Sequence, residues 1–457
     1  MKSPEPKHGF LALAVAFTLT ATHTVAGTPT VAETPTKART PEGDYISWVE
    51  HLVDSEDVNG GIPIRGADGL KVADLDRDGH RDIVSVHEDS NHLRVAYGAE
   101  SPDDWELLTL AEGPLARAAE DVTVGDINAD GWPDLLFACE EGHVVYFQNP
   151  GSGDRRAPLA SVIPAPAKGR GSWLRVFTAD VTGNGSLDVL AANKGGTDIV
   201  DTTAGEPDAG TTSLLTLQGN ALEAGNWHEQ VLMEQGVPNI ALPVDIDGDG
   251  DIDILGASRL ESRSFIIENL GATDAGEVRT RIHEIVLVPG FAASEGWQGS
   301  TGSFHAAFED LDGDGRKDLV AVVADPVAEG VNFTLGWLRQ PEALDSPWIY
   351  HRIGHFMPDW ITGFALADID SDGDLDVIAG GYSGLNVIDL GYSGASRAFD
   401  DPRVTPSSST GRLAWFENPG SVATGVAWLR HDISRRVRGM YDEFIPRDMD
   451  GDGDMDV

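Results

Sequence analysis

The chain is written in short apolar runs rich in Val, Ile, Leu, Ala and aromatic residues, each closed by Gly, Asn, Asp or Pro. Phe364-Ala-Leu-Ala-Asp368, Asp376-Val-Ile-Ala379, Gly411-Arg-Leu-Ala-Trp-Phe416 and Val426-Ala-Trp-Leu-Arg-His431 read as four successive strands with turn residues between them. No long stretch sustains the 3.6-residue apolar period of an amphipathic helix. The pattern therefore predicts an all-β chain built from four-stranded units. In each unit the first strand runs into an acidic loop and the second starts on the last acid of that loop. The third follows a Gly turn, and the fourth carries Trp-x-x-His.

The acidic loop is the punctuation of the repeat. The pattern Asp-x-Asp-x-Asp-Gly-x-x-Asp opens at Asp74, Asp126, Asp180, Asp245, Asp310, Asp368 and Asp448, at intervals of 52, 54, 65, 65, 58 and 80 residues. Regular recurrence of this kind signals a repeat architecture. Carboxylates at alternate positions, followed by a Gly that permits a sharp turn, let one loop surround a single hard cation. Calcium takes six to eight oxygen ligands in flexible geometry. No Cys or His stands at ligand spacing, which argues against zinc and copper. An EF-hand loop begins similarly but ends in a Glu at its twelfth position between two helices; here the fourth acid comes at the ninth position and strands flank the loop.

The copies differ in charge. Four carboxylates are kept in the first (Asp74, Asp76, Asp78, Asp82), fourth (Asp245, Asp247, Asp249, Asp253), fifth (Asp310, Asp312, Asp314, Asp318), sixth (Asp368, Asp370, Asp372, Asp376) and seventh (Asp448, Asp450, Asp452, Asp456). The second has Asp126, Asn128, Asp130 and Asp134, and the third only two carboxylates among Asp180, Thr182, Asn184 and Asp188. Affinity falls with ligand charge, so the third loop is expected to bind most weakly, and about five to seven calcium ions are expected per chain.

These loops resemble those of the FG-GAP/VCBS repeat family, the calcium-loop β-propellers also seen in integrin α-subunit heads. A second shared element is the strand end of the type Trp-Phe-Glu-Asn-Pro-Gly, found at Tyr146–Gly151, Ile267–Gly271, Trp337–Pro341 and Trp415–Gly420. A third is the Trp-x-x-His strand at Trp48/His51, Trp348/His351 and Trp428/His431, with a tighter Trp227/His228. The resemblance covers nearly everything from Ile46 to Val457. It implies a seven-bladed β-propeller of four-stranded blades over residues 45–457. The chain stops soon after its seventh loop, so the last blade is expected to be incomplete and to be closed by the N-terminal strand around Trp48 and His51. The histidines, recurring on separate blades, read as structural and not as metal ligands.

Composition sets the compartment and limits the partners. Residues 1–26 carry Lys2 and Lys7, an apolar run Phe10–Phe17 and small residues near Ala26, the form of a secretory signal peptide. Residues 27–44 are rich in Thr and Pro and read as a disordered linker. A secreted, extracellular or periplasmic location follows, with no membrane span. The single cysteine, Cys139, lies in an apolar run and reads as a buried, inert thiol. The formal net charge is −43, from 75 acidic and 32 basic residues, and about a third of those acids sit at ligand positions in the loops. Such a surface repels nucleic acid and anionic membranes.

Propeller repeats fit many functions. Counting five or six residues back from each loop places Glu120, Asp121, Arg175, Asn239, His305, Asp442 and Glu443 at the mouth of a central channel, with Trp173 and Tyr441 close by. Two functions are weighed. One is a non-catalytic scaffold binding a glycan or an extracellular protein partner, using the insertions Gly195–Thr212 and Leu390–Thr410. The alternative is a carbohydrate-active enzyme such as a polysaccharide lyase, with His305, Tyr441 and Arg175 as candidate catalytic residues at the channel mouth.

Overall fold

The computed structural model describes residues 30–31, 38–195, 210–302, 304–327, 330–356, 360–382, 413–420, 428–434, 441–449, 451 and 453–457. Among them six four-stranded blades follow one another along the chain. The first comprises Ala67–Ala73, Asp82–His87, His92–Tyr97 and Glu106–Glu112; the second Ala119–Gly125, Asp134–Cys139, Val145–Gln148 and Ala160–Val162. The third comprises Trp173–Ala179, Asp188–Asn193, Gly210–Leu217 and Trp227–Gln235; the fourth Pro238–Val244, Asp253–Ser258, Arg263–Ala272 and Val278–Glu284. The fifth comprises Ala306–Glu309, Asp318–Val327, Gly330–Arg339 and Trp348–Gly354, with Leu287–Pro289 added in parallel to its outer edge. The sixth comprises Trp360–Ala367, Asp376–Tyr382, Leu413–Glu417 and Leu429–Ser434. Among the described residues the only helical elements are three short 3-10 turns, and no helix is long and apolar enough to cross a membrane.

The second strands explain why the blades stack. Asp134–Cys139, Asp188–Asn193 and Asp253–Ser258 are buried along their whole length. A strand covered on both faces reads as a continuous apolar run and not as an alternation, which is how Leu135–Cys139 and Val189–Ala192 appear in the sequence. The core is accordingly divided into layers between consecutive blades. Val84, Val86 and Leu93 of the first blade meet Leu135, Phe137 and Phe147 of the second, and equivalent layers join the second to the third, third to fourth, fourth to fifth and fifth to sixth. The first strands lie innermost. Thr123 and Thr178 of successive first strands touch through their hydroxyls at 3.1 Å, and the Val176 N–H donates to Asp121 at 2.9 Å.

The expected count of seven blades is corrected to six. The seventh repeat supplies a loop and an isolated bridge between Arg447 and Asp456, with no four-stranded sheet of its own among the described residues. Residues Tyr441–Glu443 instead lie between the sixth and first blades. The Tyr441 carbonyl accepts the Gly363 N–H at 3.0 Å and the Thr362 hydroxyl at 2.7 Å, and Glu443 accepts the Leu70 N–H at 2.6 Å and Lys71 Nζ at 2.7 Å. The N-terminal strand does not complete a blade either: Val49–Glu50 pairs with Thr30–Val31. Ile46 and Trp48 nevertheless pack with Trp415 and Ile433 of the sixth blade, beside Phe444 and Met455. The segment expected to close the ring by pairing thus contributes there by apolar packing. Most of residues 1–44 lie outside the described residues.

The Asn-Pro-Gly strand end ties neighbouring blades together. Asn149 Nδ2 donates to the Pro133 carbonyl of its own blade at 3.0 Å and to the Leu75 carbonyl of the preceding one at 2.9 Å. Asn269 repeats this on Ile252 and Val181 at 3.1 and 2.8 Å, and Gln340 reaches Ile246 at 3.0 Å. Asn149 and Asn269 also turn the chain by accepting the N–H two residues on. Replacing Asn149 with Ala removes both donors from a site where water has little access. Asn149→Ala is expected to destabilise the protein by about 1–3 kcal/mol, read as a lower urea midpoint at unchanged slope; an unchanged midpoint would show that the joint does not depend on this side chain.

Candidate functional site

Each acidic loop is shaped before any ion is considered. The Gly at its sixth position has φ between +85° and +97° in all seven copies (Gly79, Gly131, Gly185, Gly250, Gly315, Gly373 and Gly453), a region that side chains other than Gly strongly disfavour. The first Asp holds this turn. Asp310 accepts the Asp314 and Gly315 N–H groups at 3.1 and 2.9 Å, and Asp368 accepts those of Asp372 and Gly373 at 3.0 and 3.1 Å.

The ninth-position Asp does something different. Asp82, Asp134, Asp253, Asp318 and Asp376 are buried, and each carboxylate bridges separate segments of the blade. Asp253 accepts the Ile246 N–H at 3.0 Å and the Asn269 N–H at 2.7 Å; Asp376 accepts those of Ile369 at 3.0 Å and Asn418 at 2.8 Å. Asp318 takes the Gln340 N–H and the Trp337 indole N–H, and Asp134 the Asn149 N–H and the Tyr146 hydroxyl. Burial pushes Asp82, Asp134, Asp253 and Asp318 up to about 6 and Asp376 up to about 8, against the lowering effect of these bonds.

In four copies the geometry gathers carboxylates around one point. One oxygen from each member of Asp74/Asp76/Asp78, Asp245/Asp247/Asp253, Asp310/Asp312/Asp318 and Asp368/Asp370/Asp376 lies within 4.8 Å of the others. The donors are oxygens alone, the set that hard cations select. Cationic side chains already occupy two of these loops. Arg155 reaches from the second blade to Asp76 at 2.5 Å and to Asp78, and Arg339 binds Asp312 at 2.5 Å and Asp314 at 3.0 Å, with Arg316 on Asp314. The convergent oxygens fit a calcium ion, which would compete with the guanidinium groups in these two loops. Bound calcium would supply the positive charge that screens the clustered acids.

The remaining copies are poorer. In the second, Asn128 Nδ2 bonds Asp130 at 2.9 Å, leaving Asp126, Asp130 and Asp134 as acids. In the third, the Thr182 hydroxyl is spent on Asp188 at 2.9 Å, and Asn184 and Asp180 bond the loop's own backbone. In the seventh, Asp448 and Asp456 accept backbone N–H groups, while Asp450 and Asp452 lie outside the described residues.

The second candidate lies on the axis. Five first strands carry a bulge near their start, at Ala67/Gly69, Ala119/Asp121, Trp173/Arg175, Pro238/Ile240 and Ile361/Phe364. A bulge re-aims the side chains beside it, and the channel positions counted from the sequence fall there. Arg175 and His305 are brought together, with Arg175 Nη2 3.1 Å from His305 Nε2, and Asp442 lies 3.5 Å from the same imidazole nitrogen. Arg175 stacks over Phe304 at 3.7 Å and stands 3.7 Å from Asp121. Lys71 pairs with Glu443 at 2.7 Å and Asp121 at 3.7 Å. Burial alone would lower Lys71 and Arg175, but Asp121 and its acidic neighbours hold both above their ordinary values.

Other expected channel residues go elsewhere. Trp173 is fully buried in the layer between the second and third blades. Asn239 is buried and donates to the Gly302 carbonyl at 2.7 Å. The Tyr441 ring lies against Gly380 and stacks on Phe444 at 6.3 Å. Two of the Trp-x-x-His histidines pack on tryptophan: His351 stacks on Trp337 at 4.5 Å, and His431 on Trp415 at 4.4 Å while bonding Glu417 at 2.6 Å; His228 is exposed and His51 bonds Asp103 at 2.9 Å. Cys139 is buried, and burial pushes its thiol up to about 12. Most of the insertions Gly195–Thr212 and Leu390–Thr410 lies outside the described residues.

Sequence counting missed Asp68, Lys71, Glu88, Glu140 and Lys194. Asp68 sits six residues before its loop, the position of Glu120 in the next repeat. Glu88, Glu140 and Lys194 each stand six residues after a ninth-position Asp, so counting forward from the loop as well as backward finds them.

The FG-GAP-like repeat profile matches residues 74–137 and 126–191, and the resemblance read from the loops holds there. No curated protein sequence matches the chain. Among solved structures, a crystal structure of a protein from Lactobacillus plantarum is similar, with 12% identity, a TM-score of 0.46, and coverage of 85% of this chain and 89% of that one.

The two roles of the loop acids separate experimentally. Without calcium, Asp253→Ala leaves two buried N–H groups unpaired and is expected to cost about 2–4 kcal/mol. Asp249→Ala, at an exposed position, is expected to cost about 0.5 kcal/mol or less. Chemical denaturation in EGTA reads both, and equal losses would refute a structural role for the ninth-position acid.

Proposed function

We propose that this six-bladed propeller, carrying FG-GAP-like repeats, acts as a secreted, calcium-stabilised scaffold that binds a glycan or an extracellular protein and performs no chemistry itself. The observation that carries this reading is the state of the axial groups. A general base needs a nitrogen lone pair facing substrate. His305 Nε2 is instead 3.1 Å from a guanidinium donor that is itself buried, and Asp442 braces the same edge. The Tyr441 ring is packed on Gly380 and Phe444, so the three residues weighed for lyase chemistry do not converge on one open site. The axial charges are better suited to holding the innermost strands in place.

Calcium supports this role through linkage. A cation that binds the folded loops and not the unfolded chain stabilises the fold in proportion to its occupancy. The apparent signal peptide at residues 1–26 fits an extracellular location, where calcium is plentiful enough for sites of modest affinity. The net charge of −43 favours neutral glycans or basic protein surfaces as partners over anionic polymers.

Thermal melts of the mature chain in excess calcium and in EGTA, with metal analysis, test the calcium half of the reading. A large rise in melting temperature with about four to six ions per chain is expected; no bound metal and no shift would mean the loops are bare turns. His305→Ala and Tyr441→Phe test the catalytic half. Both variants are expected to retain ligand binding, and loss of turnover on any polysaccharide with the fold intact would establish an enzyme.

A further inference from the structure

The loops that join second strands to third strands lie at the opposite edge of the blades from the acidic loops, because the strands are antiparallel. At that edge a separate group of carboxylates collects between the first two blades. One oxygen each of Glu88, Glu120 and Glu140 lies within 4.8 Å of the others. Glu88 and Glu140 follow the second strands of the first and second blades, and Glu120 is the bulge residue of the second blade's first strand. None of them belongs to a repeat loop.

A second observation points the same way. Asp68, the bulge residue of the first blade, is 93% buried, and its Oδ2 has no hydrogen-bond partner. Its strongest charged neighbour is Asp442, followed by Glu88, and it is in turn the strongest charged neighbour of Glu120. Unpaired buried carboxylates are costly, and crowding them together multiplies the cost. The cations nearby do not balance them. Lys194 binds Glu140, Arg259 lies within reach of Glu120, and Arg175 acts on both Asp68 and Glu120 while it is shared with Asp121, Asp442 and His305. Asp68, Glu88, Glu120 and Glu140, with Asp442 beside them, outnumber Lys194, Arg259 and Arg175 by two charges, an excess that one divalent ion would neutralise.

We propose that Glu88, Glu120 and Glu140, with Asp68 behind them, form a cation site for a hard divalent ion at the propeller face opposite the acidic loops. The donors are carboxylate oxygens, which suit calcium or manganese and disfavour soft metals. Glu88 and Glu140 are only half-buried, so an ion can enter from the channel mouth, whereas Glu120 and Asp68 form the buried floor. The site joins the first blade to the second through the ion, independently of the repeat loops and of whatever partner the scaffold binds.

Manganese serves as the probe. Crystals of the full chain grown with Mn2+ are expected to show an anomalous difference peak between Glu88, Glu120 and Glu140, in addition to peaks in the acidic loops. In solution, the double variant Glu88→Gln/Glu120→Gln is expected to bind one Mn2+ ion fewer per chain than the parent, while Asp370→Asn loses an ion from the sixth-repeat loop instead. In EGTA the double variant should melt no lower than the parent, because two crowded charges are gone. Occupied repeat loops with no peak at the three glutamates would overturn the proposal, as would an unchanged ion count in a folded double variant. If the double variant does not fold, the anomalous map of the parent decides alone.

Discussion

A buried carboxylate that accepts two backbone N–H groups from distant segments is the constraint on which the first, second, fourth and sixth blades depend. Asp253 links the start of its loop, at Ile246, to the end of the third strand, at Asn269. Asp82 and Asp376 make the corresponding links, and Asp318 holds its third strand through the Gln340 N–H and the Trp337 indole N–H. The carboxylate fixes where the second strand begins, how the loop curls and where the third strand ends. From the same strand end, Asn149, Asn269 or Gln340 reaches the preceding blade. Loop, blade and inter-blade joint are therefore one hydrogen-bonded unit, and the outer carboxylates that would meet calcium are held out to solvent by it.

This arrangement explains what could be read in the sequence. The loop acids, the Gly at the sixth position and the Asn-Pro-Gly strand end are local devices, and each recurs because each blade needs it. Their positions therefore gave the strand boundaries, the four-stranded unit and the location of the acidic clusters. The copies expected to be rich in charge include those whose carboxylates converge, and the third, with Thr182 and Asn184, spends its side chains on its own loop. The packing of His351 on Trp337 and of His431 on Trp415 was legible for the same reason.

The number of blades was not legible, because a loop announces a repeat without guaranteeing the strands that complete it. Asp448 and Asp456 keep the loop's hydrogen bonds, yet the segment ahead of them, Tyr441–Glu443, lies between the sixth and first blades and forms no strand of a seventh. The axial site was legible only in part. Arg175 and His305 were found by counting back from the loops, but first-strand bulges decide which neighbour faces the axis. The bulge position is filled by Asp68, Glu120, Leu174 or Asn239 in different blades, so no fixed residue type marks it. Glu88 and Glu140 reside beyond the second strands, where only the meeting of two blades gives them a common purpose.

The bond from Leu70 to Glu443 spans 373 residues, whereas the strand pairs within a blade are joined along consecutive stretches of chain. Most of the fold can therefore assemble by short-range pairing at little loop-closure cost. The ring itself is a late event by comparison: the first blade is synthesised early and keeps one flank uncovered until Tyr441–Glu443 arrives. The acidic residue at 443 meets Lys71 and the strand edge at Leu70 on that flank. In kinetic terms the segment acts as a latch, turning an open row of stacked sheets into a circle in which each blade has a neighbour on both sides.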